Sequence, residues 1–500
     1  MSHDDRSGTR WSPGALGLDT LLIDGELVEA TGGATFDNVN PATEEVLGVA
    51  ADGDAADMDA ALGAARRAFD GTDWSRDHDF RGHCLEQLRD ALVTHHDEVA
   101  ALTTAEGGAP AALLAGPALV DPVQGLSFAA EMARGYDRWV EDLGTAAPVG
   151  VPSHRWVLRE AAGVVGAITP WNFPHQINLA KVGPALAAGC TVVLKPAPDT
   201  PWAASALASL AAEHTDLPPG VLNVVTSSDH SLGAQLATDP RIDVVSFTGS
   251  TATGKAVMRS AAEHITRVFL ELGGKSAFLV LDDADLQAAA SLAAVMVSTH
   301  AGQGCALTTR LVVPRERYEE AAELVAATMA ALPAGDPTDP ATICGPVISE
   351  RQRDRVEGYL ALALDEGGEF ACGGGRSPAH DRGWFIDPTL VVGLDNSARV
   401  AREEIFGPVL VLIAHDGDDD AVRIANDSPY GLSGAVYSGD SERAWGVARR
   451  VRTGTMGING GVWFGADVPF GGYKASGIGR EMGREGFEEY LEVRSVAEAI

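Results

Sequence analysis

From about residue 160 the chain alternates between short apolar runs and longer stretches whose apolar positions recur at helical spacing. "VVGAI", "TVVLK", "VLNVVT" and "DVVSFTG" read as strands; "QINLAKVGPALAAG", "PWAASALASLAAEH" and "LGAQLATD", lying between them, read as helices. Strands that alternate in this way with helices predict right-handed crossovers and a parallel sheet. The strand segments are continuously apolar, as expected where helices cover both sheet faces. The pattern breaks at "LELGGKS" (270–276) and resumes with "AFLVL", "DLQAAASLAAVMVSTH", "TRLVVP" and "YEEAAELVAATMAAL". The expected fold class is therefore α/β, two doubly wound units in series with a boundary near residue 270. The stretch "RWVEDLGTAAPVGVPSHRWVLRE" (138–160) departs from this rhythm and reads as a β-hairpin standing off the body, and the C-terminal "EEYLEVRSVAEAI" also alternates like a strand.

Composition narrows the function classes. Five hundred residues exceed one ordinary core, and 21% charged residues describe a globular chain. The longest apolar runs fall short of the roughly 18 residues a membrane span needs. The start "MSHDDRSGTRWSPGALGL" has neither a basic first segment nor an apolar h-region, so no signal peptide is expected and the cytoplasm is the expected compartment. A net charge of −33, from 37 basic and 70 acidic side chains, argues against nucleic acid and anionic lipid as partners. The five cysteines (Cys84, Cys190, Cys305, Cys344 and Cys372) are scattered without C-x-x-C spacing, and no H-E-x-x-H occurs, so neither a disulfide framework nor a metal site is expected. "HHDEVA" (95–100) reads as a solvated helix face. Only five lysines occur, Lys181, Lys195, Lys255, Lys275 and Lys474; in so Arg-rich a chain they are candidates for places that need a compact ammonium.

Candidate chemistry centres on Cys305 in "AGQGCALTTR" (301–310). A thiol nucleophile needs an oxyanion donor and, for hydrolysis of an acyl-enzyme, a base to activate water. "TPWNFPHQ" (169–176) presents Asn172, an amide donor, at a strand-to-helix turn. "LELGGKS" places Glu271 at a strand end, where open α/β sheets hold working residues, and apolar neighbours should raise its pKa toward that of a general base. "GSTATGKA" (249–256) nearly spells a phosphate-binding loop, but Ala256 stands where a metal-holding hydroxyl is needed; its helix start still offers backbone N–H groups to an anion. Neither a G-x-G-x-x-G after a strand nor a G-x-S-x-G is present.

Taken together, "TPWNFP", "KPAPDTP", "FTGS", "LELGGKS", "GQGC", "EEIFGPV" and "PFGGYKASGIGRE", in this order, resemble the aldehyde dehydrogenase superfamily from about residue 20 to 497. The resemblance implies Rossmann-like cofactor (1–134 and 155–270) and catalytic (271–475) domains, with an oligomerisation flap (135–154 and 476–500). It implies oxidation of an aldehyde to the acid with NAD or NADP by a homodimer or homotetramer. Cys305 is then the nucleophile, Asn172 with the Cys305 N–H the oxyanion holder, Glu271 the base and Lys181 a proton relay. Ile168, Trp171, Lys195, Gly249, Ser250, Glu404 and Phe406 would bind the cofactor. Phe173, Ile177, Ala180, Gly304, Val462 and Phe464 would line a fairly wide apolar funnel for an aliphatic or aromatic aldehyde, with Gly304 leaving room beside the substrate. Two departures from the family pattern stand out. Pro198 replaces the usual glutamate after "KP", with Asp199 next to it, which weakens strict NAD selection. His300 stands where an Asn is usual and is expected to act from behind the reacting groups. A CoA-acylating relative and a non-catalytic binding protein on the same fold are the alternatives.

Overall fold

A computed structural model describes residues 16–500. The N-terminal stretch considered above as a leader lies almost wholly outside them. Among the described residues no helix is long and apolar enough to cross a membrane.

The alternation seen in the sequence builds two sheets. In the first, the strands Val164–Ile168, Thr191–Lys195, Leu222–Val224, Val244–Thr248 and Arg267–Glu271 pair in parallel, and Leu21–Ile23, Glu26–Val28 and Gly477–Ile478 add antiparallel edges. Chain order runs outward from Val164–Ile168 in both directions, so this strand and Val244–Thr248 flank the point where the order reverses. Register then sets Ile168 against Lys195 and Phe247, and Thr248 against Glu271, all at the carboxyl edge. Ligands of open α/β sheets bind in the crevice outside such an edge. The second sheet holds seven strands between residues 276 and 458, mainly parallel, with Ser276–Val280 and Thr308–Pro314 adjacent near its middle.

Both sheets bury both faces. Val165, Val192 and Leu194 enter one core while their neighbours Val164 and Val193 enter another; Phe278 and Val280 likewise oppose Ala277 and Leu279. This is the two-residue period of a strand carried between helical layers. Each such fully buried Val or Leu contributes about 1.5–3 kcal/mol. Three helices not read from the sequence pack on this unit, Ala55–Gly71 against the first sheet and His78–Thr94 and Val120–Gly135 against its helix Pro174–Ala188, while His96–Gly107, whose start was read as a helix face, packs on the helix Pro201–His214.

A separate three-stranded sheet joins Val140–Ala146, Ser153–Ala161 and Leu491–Ala499, with Leu491 opposite Ala161 and Ala499 opposite Ser153. The expected flap limits therefore shift. The second hairpin strand runs past residue 154 to Ala161, because the C-terminal strand pairs along its whole length. Residues 477–478 instead pair with Leu270 and Glu271 in the first sheet.

Candidate active site

The loops at the reversal point enclose a cavity of about 740 Å³. It is lined by all seven expected cofactor residues (Ile168, Trp171, Lys195, Gly249, Ser250, Glu404 and Phe406) together with Asn172, Glu271 and Cys305. Of the expected catalytic set, Lys181 alone lies behind the wall.

Asn172 follows the strand end at Ile168, just before the helix Pro174–Ala188, and is buried. Its Nδ2 donates to the Gln303 carbonyl at 2.8 Å. A carbonyl only accepts, so this bond fixes the amide with its NH₂ toward the cysteine loop and leaves its second N–H unspent.

Glu271 is 1% exposed and neither carboxyl oxygen has a hydrogen-bond partner. Burial, then the nearby Glu481 carboxylate, hold its pKa well above the ordinary carboxylate value. Gly274 lets this loop meet the cysteine loop, since a Cβ there would lie 2.7 Å from the Cys305 carbonyl oxygen. Cys305 is half-buried and its thiol is pushed above its usual pKa, first by burial and then by the charges of Glu271, Glu404 and Glu481. A thiol attacks only once its proton is lost.

Lys181 is fully buried. Its Nζ donates to Glu481 Oε1 at 2.5 Å and to Ser246 Oγ at 3.0 Å, and it lies 5.0 Å from the Phe269 ring centre. Sequence reasoning did not single out Glu481, although it closes the quoted run "SGIGRE". Lys195, which lines the cavity, and Lys275 are also buried, whereas Lys255 and Lys474 are exposed.

The cavity walls offer a dinucleotide several holds. Ser250 caps the helix Thr251–Ala261 through the Thr253 N–H, leaving a helix start with small residues facing the cavity. Burial lowers the Lys195 pKa to about 8. Asp199 lies 3.9 Å from Arg351 and has a raised pKa, from burial first. Glu404 accepts the Gly274 N–H at 3.0 Å; it rests against Gly273, where a Cβ would come within 2.1 Å of its Oε2. Gln352 and Arg355, on the helix Glu350–Asp365, hold the 404–406 loop through its carbonyls. Gln352 and Arg355 carried no sequence signal, because the loop they hold lies far along the chain, and Arg351 pairs with a still more distant Asp199. A basic residue, a helix start and a ring, Phe406, line one cavity, and these residues fit a dinucleotide.

On the substrate side the expectations need correction. Ala180 and Phe464 line a cleft of about 50 Å³, narrow instead of wide, because Phe128, Met132, Met482 and Phe487 close in on it. Phe173 packs edge-on against His300 at 5.1 Å, and Ile177 is buried in its helix. Val462 is 86% exposed and takes no part in the lining. The room expected beside Gly304 is occupied, since a Cβ there would meet Leu307 Cγ at 2.8 Å. The cleft lining includes neither Arg nor Lys.

A thiol, a buried carboxylate and an amide at the reversal point of a doubly wound sheet define a thiol enzyme of the dinucleotide-binding α/β class. The chain belongs to the aldehyde dehydrogenase family, which it matches over residues 27–496. It is 43% identical over 481 residues to a 3-succinoylsemialdehyde-pyridine dehydrogenase of a Pseudomonas species, covering 95% of this chain and 98% of the relative. It is 40% identical to a geranial dehydrogenase of Castellaniella defragrans, with coverage of 95% and 98%. Among solved structures, a Mycobacterium tuberculosis aldehyde dehydrogenase complexed with NAD+ aligns with a TM-score of 0.91 at 42% identity, covering 96% of this chain and 97% of that one. The protein is accordingly an NAD(P)-dependent oxidoreductase that converts an aldehyde to the acid.

Proposed function

We propose that Cys305, Glu271, Asn172 and Lys181 divide the work of this oxidation, on a substrate that is an aliphatic or aromatic aldehyde. The observation that carries the assignment is the convergence of Cys305, Asn172 and a buried, hydrogen-bond-free Glu271 on one cavity. Cys305 gives its thiol proton to water in the cavity, and the sulfur bonds to the aldehyde carbon. Asn172 and the Cys305 N–H hold the oxygen that becomes negative. Hydride acceptance from this carbon is the chemistry a bound nicotinamide would supply. The carbon is left as a thioester on Cys305. Glu271 then removes a proton from water, the hydroxide attacks the thioester, and the acid departs with the thiol restored. Lys181 passes the proton of Glu271 onward through its ion pair with Glu481.

Gly249 and Ser250 would take the pyrophosphate, and Lys195 the adenosine ribose. Glu404, Phe406, Ile168 and Trp171 would hold the nicotinamide half. Pro198 leaves the ribose wall with Asp199, whose nearest cation is Arg351; this supports use of both NAD and NADP. The first doubly wound unit serves as the cofactor domain and the second as the catalytic domain. The three-stranded sheet exposes Val140, Leu143 and Val493, and the turn between its hairpin strands exposes Val149 and Val151, which supports assembly into a homodimer or homotetramer through it. The acidic surface supports a cytoplasmic protein with small-molecule partners.

The test is formation of reduced nicotinamide over an aldehyde panel with NAD+ and NADP+ in parallel. Cys305→Ser is expected to abolish it while cofactor binding persists. A serine variant keeping most of the activity would overturn the assignment. Release of free acid without CoA separates hydrolysis from acyl transfer.

A further inference from the structure

His300 takes no part in the scheme above, yet it is 1% exposed and lies five residues before the thiol. Its Nε2 is 2.7 Å from the backbone carbonyl of Asn172, and since that oxygen only accepts, Nε2 carries the proton. The Asn172 side chain in turn donates to the Gln303 carbonyl at 2.8 Å. The Gln303 side chain completes the circuit by donating to the His300 carbonyl at 3.1 Å. Each of the three residues thus grips the backbone of the next. The ring of bonds ties the turn that carries Asn172 to the loop that carries Cys305. It is anchored outside by the Ile348 N–H on Gln303 Oε1 and the His300 N–H on the Ile343 carbonyl. The circuit also braces an unusual backbone: His300, Ala301 and Gly302 are consecutively left-handed at φ +51°, +52° and +70°. At Gly302 any side chain is excluded, because a Cβ would fall 2.1 Å from the Gly407 carbonyl oxygen. A strained turn of this kind keeps its shape only if neighbouring contacts over-determine it.

We propose that His300 is a positioning residue that aims the Asn172 amide at the carbonyl oxygen of a substrate bound to Cys305. This rests on the oxyanion role given to Asn172 above. The His300 Nε2–H sets where the Asn172 backbone sits, and the Gln303 carbonyl sets how its amide is turned. Together they leave one Nδ2–H directed at the reacting oxygen.

The test compares single-turnover hydride transfer in His300→Phe, His300→Asn, Asn172→Ala and the His300→Phe/Asn172→Ala double variant, with NAD+ affinity and melting temperature measured alongside. His300→Phe keeps a ring against Phe173 but loses the donor. It is expected to slow hydride transfer about tenfold or more, the scale of a misplaced reacting group, while NAD+ affinity holds. His300→Asn keeps an amide donor and suits a left-handed backbone, so it restores most of the rate. The double variant is expected to be no slower than Asn172→Ala, because His300 acts only through that residue. Should His300→Phe fail to fold, His300→Ala reads the same lost donor. Losses that multiply in the double variant, or a His300→Asn no better than His300→Phe, would overturn the proposal. A damaging Asn172→Ala beside a harmless His300→Phe sinks the positioning role alone; a harmless Asn172→Ala sinks the oxyanion assignment itself.

Discussion

Glu271 has two features that set its chemistry. It is buried with both oxygens unpaired, and the largest charge effect on it comes from another carboxylate, that of Glu481. Both disfavour the ionised form, so its folded-state pKa is raised. A general base works deprotonated, so turnover should climb as pH rises through a value well above 4.5 and level off beyond it. In Glu271→Gln that rising limb should disappear from the residual rate. A limb of unchanged position in the variant would assign it to another group. At this scale much of the site was legible: Cys305, Glu271 and Asn172 each stand at a strand end or turn that local pattern marks. The residues that shape the site around them were not. Glu481, Arg355 and Gln303 act across contacts between distant segments, and periodicity carries no trace of such partners. Gly304 shows the same limit. Its missing side chain reads as open space in sequence, yet Leu307, three residues on, fills that space.

At the scale of elements, helix starts and sheet edges do much of the positioning. The helix Pro201–His214 begins with a proline and has no side-chain cap of its own. Its first N–H groups are met instead by a buried carboxylate from another helix: Glu106 accepts from the Trp202 and Ala203 N–H groups at 2.9 and 2.8 Å, and from Asn38 Nδ2 at 2.9 Å. Glu106→Gln turns an NH₂ toward one of these donors. It is expected to cost about 1–3 kcal/mol, as for a buried polar group left unsatisfied, and to lower the denaturation midpoint while the cofactor cavity is untouched. A midpoint equal to wild type would remove Glu106 from this role. Strands and helices after residue 160 follow from their apolar pattern because burial on both faces forces it. The cleft walls were harder to foresee. Phe128 and Met132 come from the helix Val120–Gly135, whose apolar stripe looks like any core face until its partner helix is known.

At the scale of the molecule, a surface carrying a net charge of −33 is interrupted by the exposed valines of the three-stranded sheet. Val140–Ala146 and Leu491–Ala499 are both edge strands of that sheet, with unpaired backbone groups along their outer sides. An apolar face beside open edges favours a second copy of the chain. Val493→Glu, 65% exposed in the single chain, is expected to shift the protein toward smaller assemblies in light scattering without unfolding it. Unchanged mass would move the interface elsewhere.

In the proposed division of labour, Cys305 holds the acyl group and Glu271 brings water to release it. The most direct test is stopped-flow absorbance of reduced nicotinamide in Glu271→Gln, mixed with an aldehyde and NAD+. Removing the base for water should leave a first burst stoichiometric with Cys305, followed by turnover slowed about a hundredfold or more. A variant that turns over at the wild-type rate would contradict the account. Complete loss of the burst would show that Glu271 is indispensable to the thiol's own attack, and would contradict its separable role in hydrolysis.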